Sequence, residues 1–421
     1  MSLRRRINKL FPNIILHIGQ LSAANFINRA LIALSLLIAV KLYSQESIGI
    51  YSTFMAYAAI LSVVSLLSLH LSLPGISQEF ELQVFVWVLL AFTFVLTIAF
   101  GIGFWIIGYL YSAILAAFVG LRALLLIAEQ VCIRDQQFLL IVALRIVPPV
   151  TFFIALWLFS LTGYRDASGL ILSQLLSSIA GSFVAIRVLA KYLKIFMIRE
   201  ISFSVIKRLL SKNKDFAIFI TLSQLFNTLS YNLPTILIDK YLGPSTTAQY
   251  TLALRLSFLP LNMISNAIGQ VLHSRLAYFY RSSTKNVGKK IQAFHKGLGF
   301  LGLLTVFGTF FVLAPLSSWI LGPQWTLTSS IIKHYAFLYG GMIIVAPLGV
   351  SFYVLGRRVY LMLSQFAYFM ISLLAFGYAA YTKDLLTGIR MFVILGMIRY
   401  AVTYKIIWDL QKAYFAKIGD G

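Results

Sequence analysis

Six arginines interrupt long apolar runs in this chain: Arg29, Arg122, Arg145, Arg255, Arg390 and Arg399. A guanidinium stays charged and presents its N–H donors in a planar fork that matches a carboxylate or a phosphate. At the centre of a bilayer an arginine costs about 2.5–3.5 kcal/mol on insertion scales, so such a residue normally faces water or a partner. The acid at comparable depth is Glu129, seven residues after Arg122 and therefore on the same helical face. A structural pair with Arg122 or Arg134 is the expected role of Glu129, with coupling to a proton or sodium gradient as the alternative. One anion among this many cations predicts a positive interior that attracts a phosphate or diphosphate. Arg29, Arg122, Arg145 and Arg255 are the expected binding positions. Arg390 is close enough to a helix end to snorkel.

Other chemistries lack their residues. No G-x-x-x-x-G-K-[ST] loop occurs, so the chain carries no ATP-driven motor of that type. The five histidines (His17, His70, His273, His295 and His334) are scattered, form no H-E-x-x-H pair, and read as interfacial or solvated. Cys132 is the single cysteine, which excludes a disulfide framework and a cysteine-based zinc site. The reading is of a non-enzyme with no metal and no resident cofactor.

The elements that must position these arginines are membrane helices. Hydrophobic residues make up 60% of the 421 residues and charged residues 11%, with a mean hydropathy of +0.88. Soluble domains average about 25% charged residues. Apolar runs long enough to span a bilayer, roughly 20 residues, lie near 13–41, 47–70, 83–108, 111–131, 138–160, 168–187, 215–239, 246–275, 297–320, 328–355, 359–381 and 385–409. They are continuously apolar and too long for barrel strands. The expected fold is all-α and integral to the membrane, with twelve spans in two six-helix bundles around a central cavity.

The charge is lopsided, 35 Lys+Arg against 12 Asp+Glu, or +23 net. Basic residues between apolar runs read as topology determinants and anionic-lipid contacts, not as a nucleic-acid surface. Arg4, Arg5, Arg6 and Lys9 precede an apolar stretch from Phe11 to Leu42, too long for a signal peptide and read as an uncleaved first span. The basic bias puts both termini in the cytoplasm. A basic linker at 191–214 then separates an N-terminal bundle at 1–190 from a C-terminal bundle at 215–421. A shift of 199 residues sets Asn28 on Asn227, Leu34 on Leu233, Lys41 on Lys240 and Tyr51 on Tyr250, the pattern of a duplicated six-helix unit. Pro148, Pro149, Pro234, Pro260, Pro315 and Pro347 lie inside spans, where each removes a backbone hydrogen bond. Gly243-Pro244 and Gly322-Pro323 read as helix stops.

The stretch Asn232-Leu233-Pro234 through Lys240-Tyr241-Leu242-Gly243-Pro244, then Ala248-Gln249-Tyr250, Leu254-Arg255-Leu256 and Leu259-Pro260, resembles the polysaccharide and O-antigen repeat-unit flippases. These belong to the multidrug/oligosaccharidyl-lipid/polysaccharide exporter superfamily. Gly49-Ile50-Tyr51-Ser52, Ile133-Arg134 with Gln137-Phe138, and Leu321-Gly322-Pro323-Gln324-Trp325 extend the pattern along the chain. The resemblance implies that the chain moves an undecaprenyl-diphosphate-linked glycan across the bacterial inner membrane, with polymerase and chain-length machinery as partners. It carries over Arg145 and Arg255 as matched positions; Arg29 and Arg122 rest on the residues alone. A cation-coupled drug antiporter of the same superfamily is the second reading, and it would want an acidic or neutral interior. A membrane-embedded glycosyltransferase or polymerase is the third, and it would want large outer loops that the chain lacks.

Overall fold

The computed structural model describes residues 14–193, 203–212, 214, 216–281, 287–355 and 357–418. The basic N-terminus at Arg4 to Lys9 and residues 194–202 of the linker lie outside the described residues. The described residues are helical throughout their long elements and divide into two compact units, Met1–Leu225 and Phe226–Gly421.

The first unit contains α1 (Ile14–Leu42), α2 (Gln45–Leu66), α3 (Glu79–Ile106), α4 (Ser112–Arg134), α5 (Phe138–Leu161), α6 (Ala167–Leu189) and the short α7 (Phe203–Lys212). Local chemistry sets several of the ends. Ser44 caps α2 by accepting from the Ser47 N–H at 3.1 Å, and Asp166 caps α6 through the Gly169 N–H at 3.0 Å. The apolar run at 47–70 does not stay helical to its end. Leu67 and Ser68 take left-handed backbone angles (φ 44° and 50°), and a 3-10 turn follows at Leu69–Gly75. Leu82, Phe85, Leu89, Ile127, Val131 and Leu189 form the dry centre of this unit.

The second unit contains α8 (Thr221–Leu242, entered from the first), α9 (Pro244–Arg281), α10 (Val287–Phe307), α11 (Ala314–Leu321), α12 (Thr326–Val345), α13 (Val350–Val354), α14 (Arg358–Thr382) and α15 (Leu385–Ile418). A π-helical turn at Gly308–Leu313 joins α10 to α11, so the pair reads as one long element. Pro347 opens the 3-10 turn that breaks the run at 328–355. Gly243 and Gly322 both take φ 89°, an angle only glycine adopts freely, and each is followed by a proline that starts the next element. Gly302 on α10 and Gly340 on α12 let two backbones touch: a Cβ on either would meet the other's carbonyl oxygen at 3.0 Å.

The surface is the reverse of a soluble protein's. Trp105, Ile107, Leu110, Phe183, Trp319 and Tyr381 are each at least 70% exposed. An apolar surface on this scale belongs in lipid. Ten helical segments among the described residues are long and apolar enough to cross a membrane. The hydropathy of α8 and α9 is lower, yet they are helices of 22 and 38 residues at the positions of the seventh and eighth expected spans. The chain is an all-α, multi-pass membrane protein.

Candidate functional site

In the first unit, α1, α4 and α5 bring together a polar cluster at membrane depth. Its centre is Arg145 on α5. The Nε and Nη2 groups of Arg145 both donate to Glu129 Oε1, the Nε bond at 2.9 Å, and Nη1 donates to Asn25 Oδ1 at 3.0 Å. The arginine and glutamate side chains are 27% and 21% exposed, so the pair is open to solvent or headgroups on one side only.

The proline pair explains a second bond. Pro149 has no N–H, so the carbonyl of Arg145, one helical turn earlier, loses its ordinary partner. Asn28 on α1 supplies the missing donor, its Nδ2 lying 2.9 Å from that oxygen. On α6, Ser177 donates to the Pro148 carbonyl at 2.7 Å. The prolines thus become attachment points between helices.

Glu129 was expected beside Arg122 or Arg134, and its partner is Arg145. Arg122, a helical rise of about 10 Å away, feels the charge of Glu129 but forms no ion pair with it among the described residues. Arg134 is occupied elsewhere: it pairs with Asp135 at 3.2 Å and donates to the carbonyls of Ile76 and Ser77 at 2.7 and 3.0 Å. The position of Arg145 could have been read from spacing, since Glu129 and Arg145 lie equally far, eight residues, on either side of Gln137 in the α4–α5 turn. Asn25 and Asn28 were not among the expected site residues. Two asparagines three apart in an apolar helix were the available signal.

Arg29 is exposed, and neither Arg29 nor Arg122 makes a hydrogen bond or ion pair among the described residues, although the charge of Glu129 acts on Arg122. Arg29 is one turn from Asn25 on α1 and so shares the face that meets Arg145. Within the spans α1, α4 and α5 the guanidinium groups of Arg29, Arg122 and Arg145 stand with the carboxylate of Glu129, and Arg145 engages that carboxylate. Arg255 lies on α9 in the second unit, half-buried and with a partner of its own. Arg390 is exposed and donates to His334 Nε2 at 3.3 Å. Arg399 sits between the rings of Tyr368 and Tyr400, 4.4 and 4.8 Å from their centroids, an arrangement that offsets part of the cost of its charge.

Two histidines depart from the interfacial reading. His70, in the 3-10 turn after α2, is 8% exposed, and burial pushes its imidazole down to about 4. His295 is 5% exposed and bonded at both ring nitrogens. Both lie under neighbouring helices that no local pattern announces.

A second polar region occupies the centre of the second unit, where Tyr231, Tyr250, Tyr335, Tyr339, Tyr368 and Tyr400 surround a cavity of about 10 Å³. Tyr250 and Tyr335 share a hydrogen bond at 3.2 Å, as do Ser257 and Tyr339 at 2.8 Å. That space holds about one water, so these rings are core and not a sugar platform. An open groove of about 720 Å³ runs along α3 and α4, lined by Trp87, Phe94, Ile98, Ala116 and Gly120. Its walls are almost wholly apolar and suit a hydrocarbon chain, not a charged headgroup. Among the described residues no group of histidine, cysteine and carboxylate side chains could hold a metal ion.

The linker segment α7 is amphipathic. Leu209 is fully buried among the residues of the first unit's core, with Val205 and Ile206 packed beside it, while Lys207, Arg208 and Lys212 point outward. Arg208 pairs with Glu81 of α3 at 3.0 Å.

Comparison with solved structures gives the fold. The chain is similar to an inward-facing multidrug resistance MATE family transporter of the MOP superfamily (TM-score 0.66, 17% identity, 94% of this chain and 99% of that one). It is also similar to the lipid II flippase MurJ in an inward closed conformation (TM-score 0.64, 16% identity, 93% of this chain and 87% of that one). A third likeness is to a MOP superfamily transporter from Pyrococcus furiosus described as having a binding pocket of reversed polarity (TM-score 0.57, 15% identity, 94% and 96% covered). At these identities the likeness is one of architecture, two helical bundles of the MOP type. No curated protein matches the chain in sequence. Residues 78–330, more than half the chain, match the family described as "Polysaccharide biosynthesis protein", and the chain belongs to that family.

Proposed function

We propose that this protein flips undecaprenyl-diphosphate-linked oligosaccharide repeat units across the bacterial inner membrane during assembly of a surface polysaccharide. Family membership supports the process, polysaccharide biosynthesis, and the likeness to MOP-type folds supports movement of an amphiphile between leaflets. The observation that carries the substrate class is the surplus of cations in the first unit. Arg29 and Arg122 lie within spans and form no ion pair among the described residues, and the nearby acid, Glu129, is engaged by Arg145.

In this reading the diphosphate exchanges its hydration shell for guanidinium donors, which bind phosphate oxygens in pairs. The glycan stays in water beside them and the polyprenyl tail stays in lipid. Binding alone moves nothing: a ligand shifts a conformational equilibrium only by its difference in affinity for the two states. Both termini are cytoplasmic in this scheme, which leaves the basic α7 on the leaflet where anionic headgroups are abundant.

The test is genetic and chemical together. Deleting the gene should leave glycan-loaded carrier lipid on the cytoplasmic side. Arg29→Ala, Arg122→Ala and Arg255→Ala variants should insert normally and export less glycan. Full export with all three arginines replaced would defeat the proposal.

A further inference from the structure

His295 has a set of partners that a merely structural histidine does not need. It lies on α10, in the third helical turn from Val287, and its ring is enclosed by α15. Nε2 is 3.0 Å from Gln411 Oε1, and the Gln411 amide nitrogen donates to Ser351 Oγ at 2.9 Å. With the amide so oriented, Nε2 carries a hydrogen and donates to Gln411. Nδ1 is 3.0 Å from the Tyr404 hydroxyl. In the neutral ring Nδ1 accepts that hydroxyl's hydrogen. In the charged ring Nδ1 becomes a donor, and the same oxygen accepts while its own hydrogen turns away, because a hydroxyl both donates and accepts. Tyr404 is half-buried, which leaves its hydrogen somewhere to turn. Both charge states are therefore satisfied with no heavy atom moved.

The surroundings favour exchange over locking. Trp408 and Tyr404 stand edge-to-face with the imidazole, at 5.0 and 5.3 Å between centroids, and aromatic rings tolerate a neighbouring cation. The charged groups nearby are exposed: Lys296 on α10, and Lys405, Asp409 and Lys412 on α15. The π-helical turn Gly308–Leu313 carries no ionisable side chain, and α12 carries Lys333 and His334 only at its far end from His295. The side chain that reaches this network from α13 is Ser351, an uncharged one. Among the described residues no carboxylate touches the ring, so hydrogen bonds alone hold the proton.

We propose that His295 is a proton-carrying site of the second unit, taking up and releasing one proton at Nδ1 within the Tyr404–Gln411–Ser351 frame. This rests on the transport reading for its purpose, as the place where a proton gradient acts on the carrier; the site itself does not depend on that reading. Glu129, the acid considered for ion coupling, is engaged by Arg145 and is the poorer candidate.

The experiment uses the full chain, labelled with nitrogen-15 at its five histidines, in lipid nanodiscs between pH 4.5 and 8.5. His295→Gln, which can still donate to Gln411 and accept from Tyr404, identifies the His295 ring signals by their loss. The expected result is a single titration step at Nδ1, displaced by about one pH unit in Tyr404→Phe, where the Nδ1 partner is gone. A ring held in one tautomer across the whole range, or a step untouched by Tyr404→Phe, overturns the site. In proteoliposomes carrying the same proteins, an imposed pH gradient should speed transfer of a polyprenyl-diphosphate glycan by the wild type and not by His295→Gln. Equal stimulation of both proteins would overturn the coupling role. No transfer by the wild type, with the titration step present, would count against the flippase reading and leave the proton site standing.

Discussion

Replacing Glu129 tests whether the α1–α4–α5 cluster is held by the Arg145 pair. In the structure Arg145 gives two N–H donors to Glu129 Oε1 and one to Asn25. A hydrogen bond to a charged group contributes about 1.5–3 kcal/mol. Both bonds end on one oxygen, and the two side chains are about a quarter exposed, so solvent screening trims the total. A coupling energy of about 2 kcal/mol is expected. Glu129→Gln keeps an acceptor and loses the charge; Arg145→Met keeps bulk and loses every donor. Each single change should destabilise the protein by about 2 kcal/mol or more, because each leaves a polar partner stranded. The double variant should cost clearly less than the sum. The assay is reversible unfolding in mixed micelles for all four proteins. A coupling below about 0.5 kcal/mol, the usual scatter for independent sites, would refute the reasoning. Glu129→Gln should also leave any dependence of transport on a pH gradient intact, since the pair is structural.

Two further outcomes follow from geometry. The depressed His70 imidazole binds a proton less readily folded than unfolded, where about 6.5 is ordinary. Its contribution is therefore fully present above about pH 6.5 and is lost as the pH falls toward 4, with about 2 kcal/mol gone at pH 5. Thermal melting at pH 7.5 and pH 5 should show His70→Leu losing less stability on acidification than the wild type, and an equal loss would contradict the assignment. On α6, a Cβ at Gly181 would lie 2.8 Å from Pro148 Cγ and 2.9 Å from a Leu125 methyl. The proline ring cannot swing away, so Gly181→Val should cost about 1–3 kcal/mol by overpacking and lower the melting temperature, whereas an unchanged melt would mean that α5 and α6 can part cheaply.

The helices were legible in the sequence because a bilayer demands long apolar runs, and such runs survive any tertiary arrangement. The expected span at 138–160 matches α5 at Phe138–Leu161, and that at 359–381 matches α14 at Arg358–Thr382. What stayed hidden were local departures inside those runs. Leu67 is a poor candidate for a left-handed angle, yet it and Ser68 end α2 with one each. The helix α7 looked like a solvated basic linker until its 3.6-residue spacing set Leu209 against the core. The candidate site was half legible. Depth and charge pointed to Arg29, Arg122, Arg145 and Arg255, but the pairing of Glu129 with Arg145 depends on which helices meet. His295 was misread for the same reason: its partners lie more than a hundred residues away on α15. Composition tells what must be buried and leaves open which neighbour does the burying.

The proposed function requires that the Arg29 and Arg122 guanidinium groups, which form no ion pair among the described residues, handle a diphosphate headgroup. Transfer between leaflets should be measured in proteoliposomes for one glycan on two carriers, a polyprenyl diphosphate and the same polyprenol joined without phosphate. The diphosphate lipid should cross about tenfold faster or more, equivalent to about 1.4 kcal/mol of preference, and Arg29→Ala combined with Arg122→Ala should abolish that preference. Equal rates for the two lipids, or a preference that survives loss of both arginines, would contradict the account.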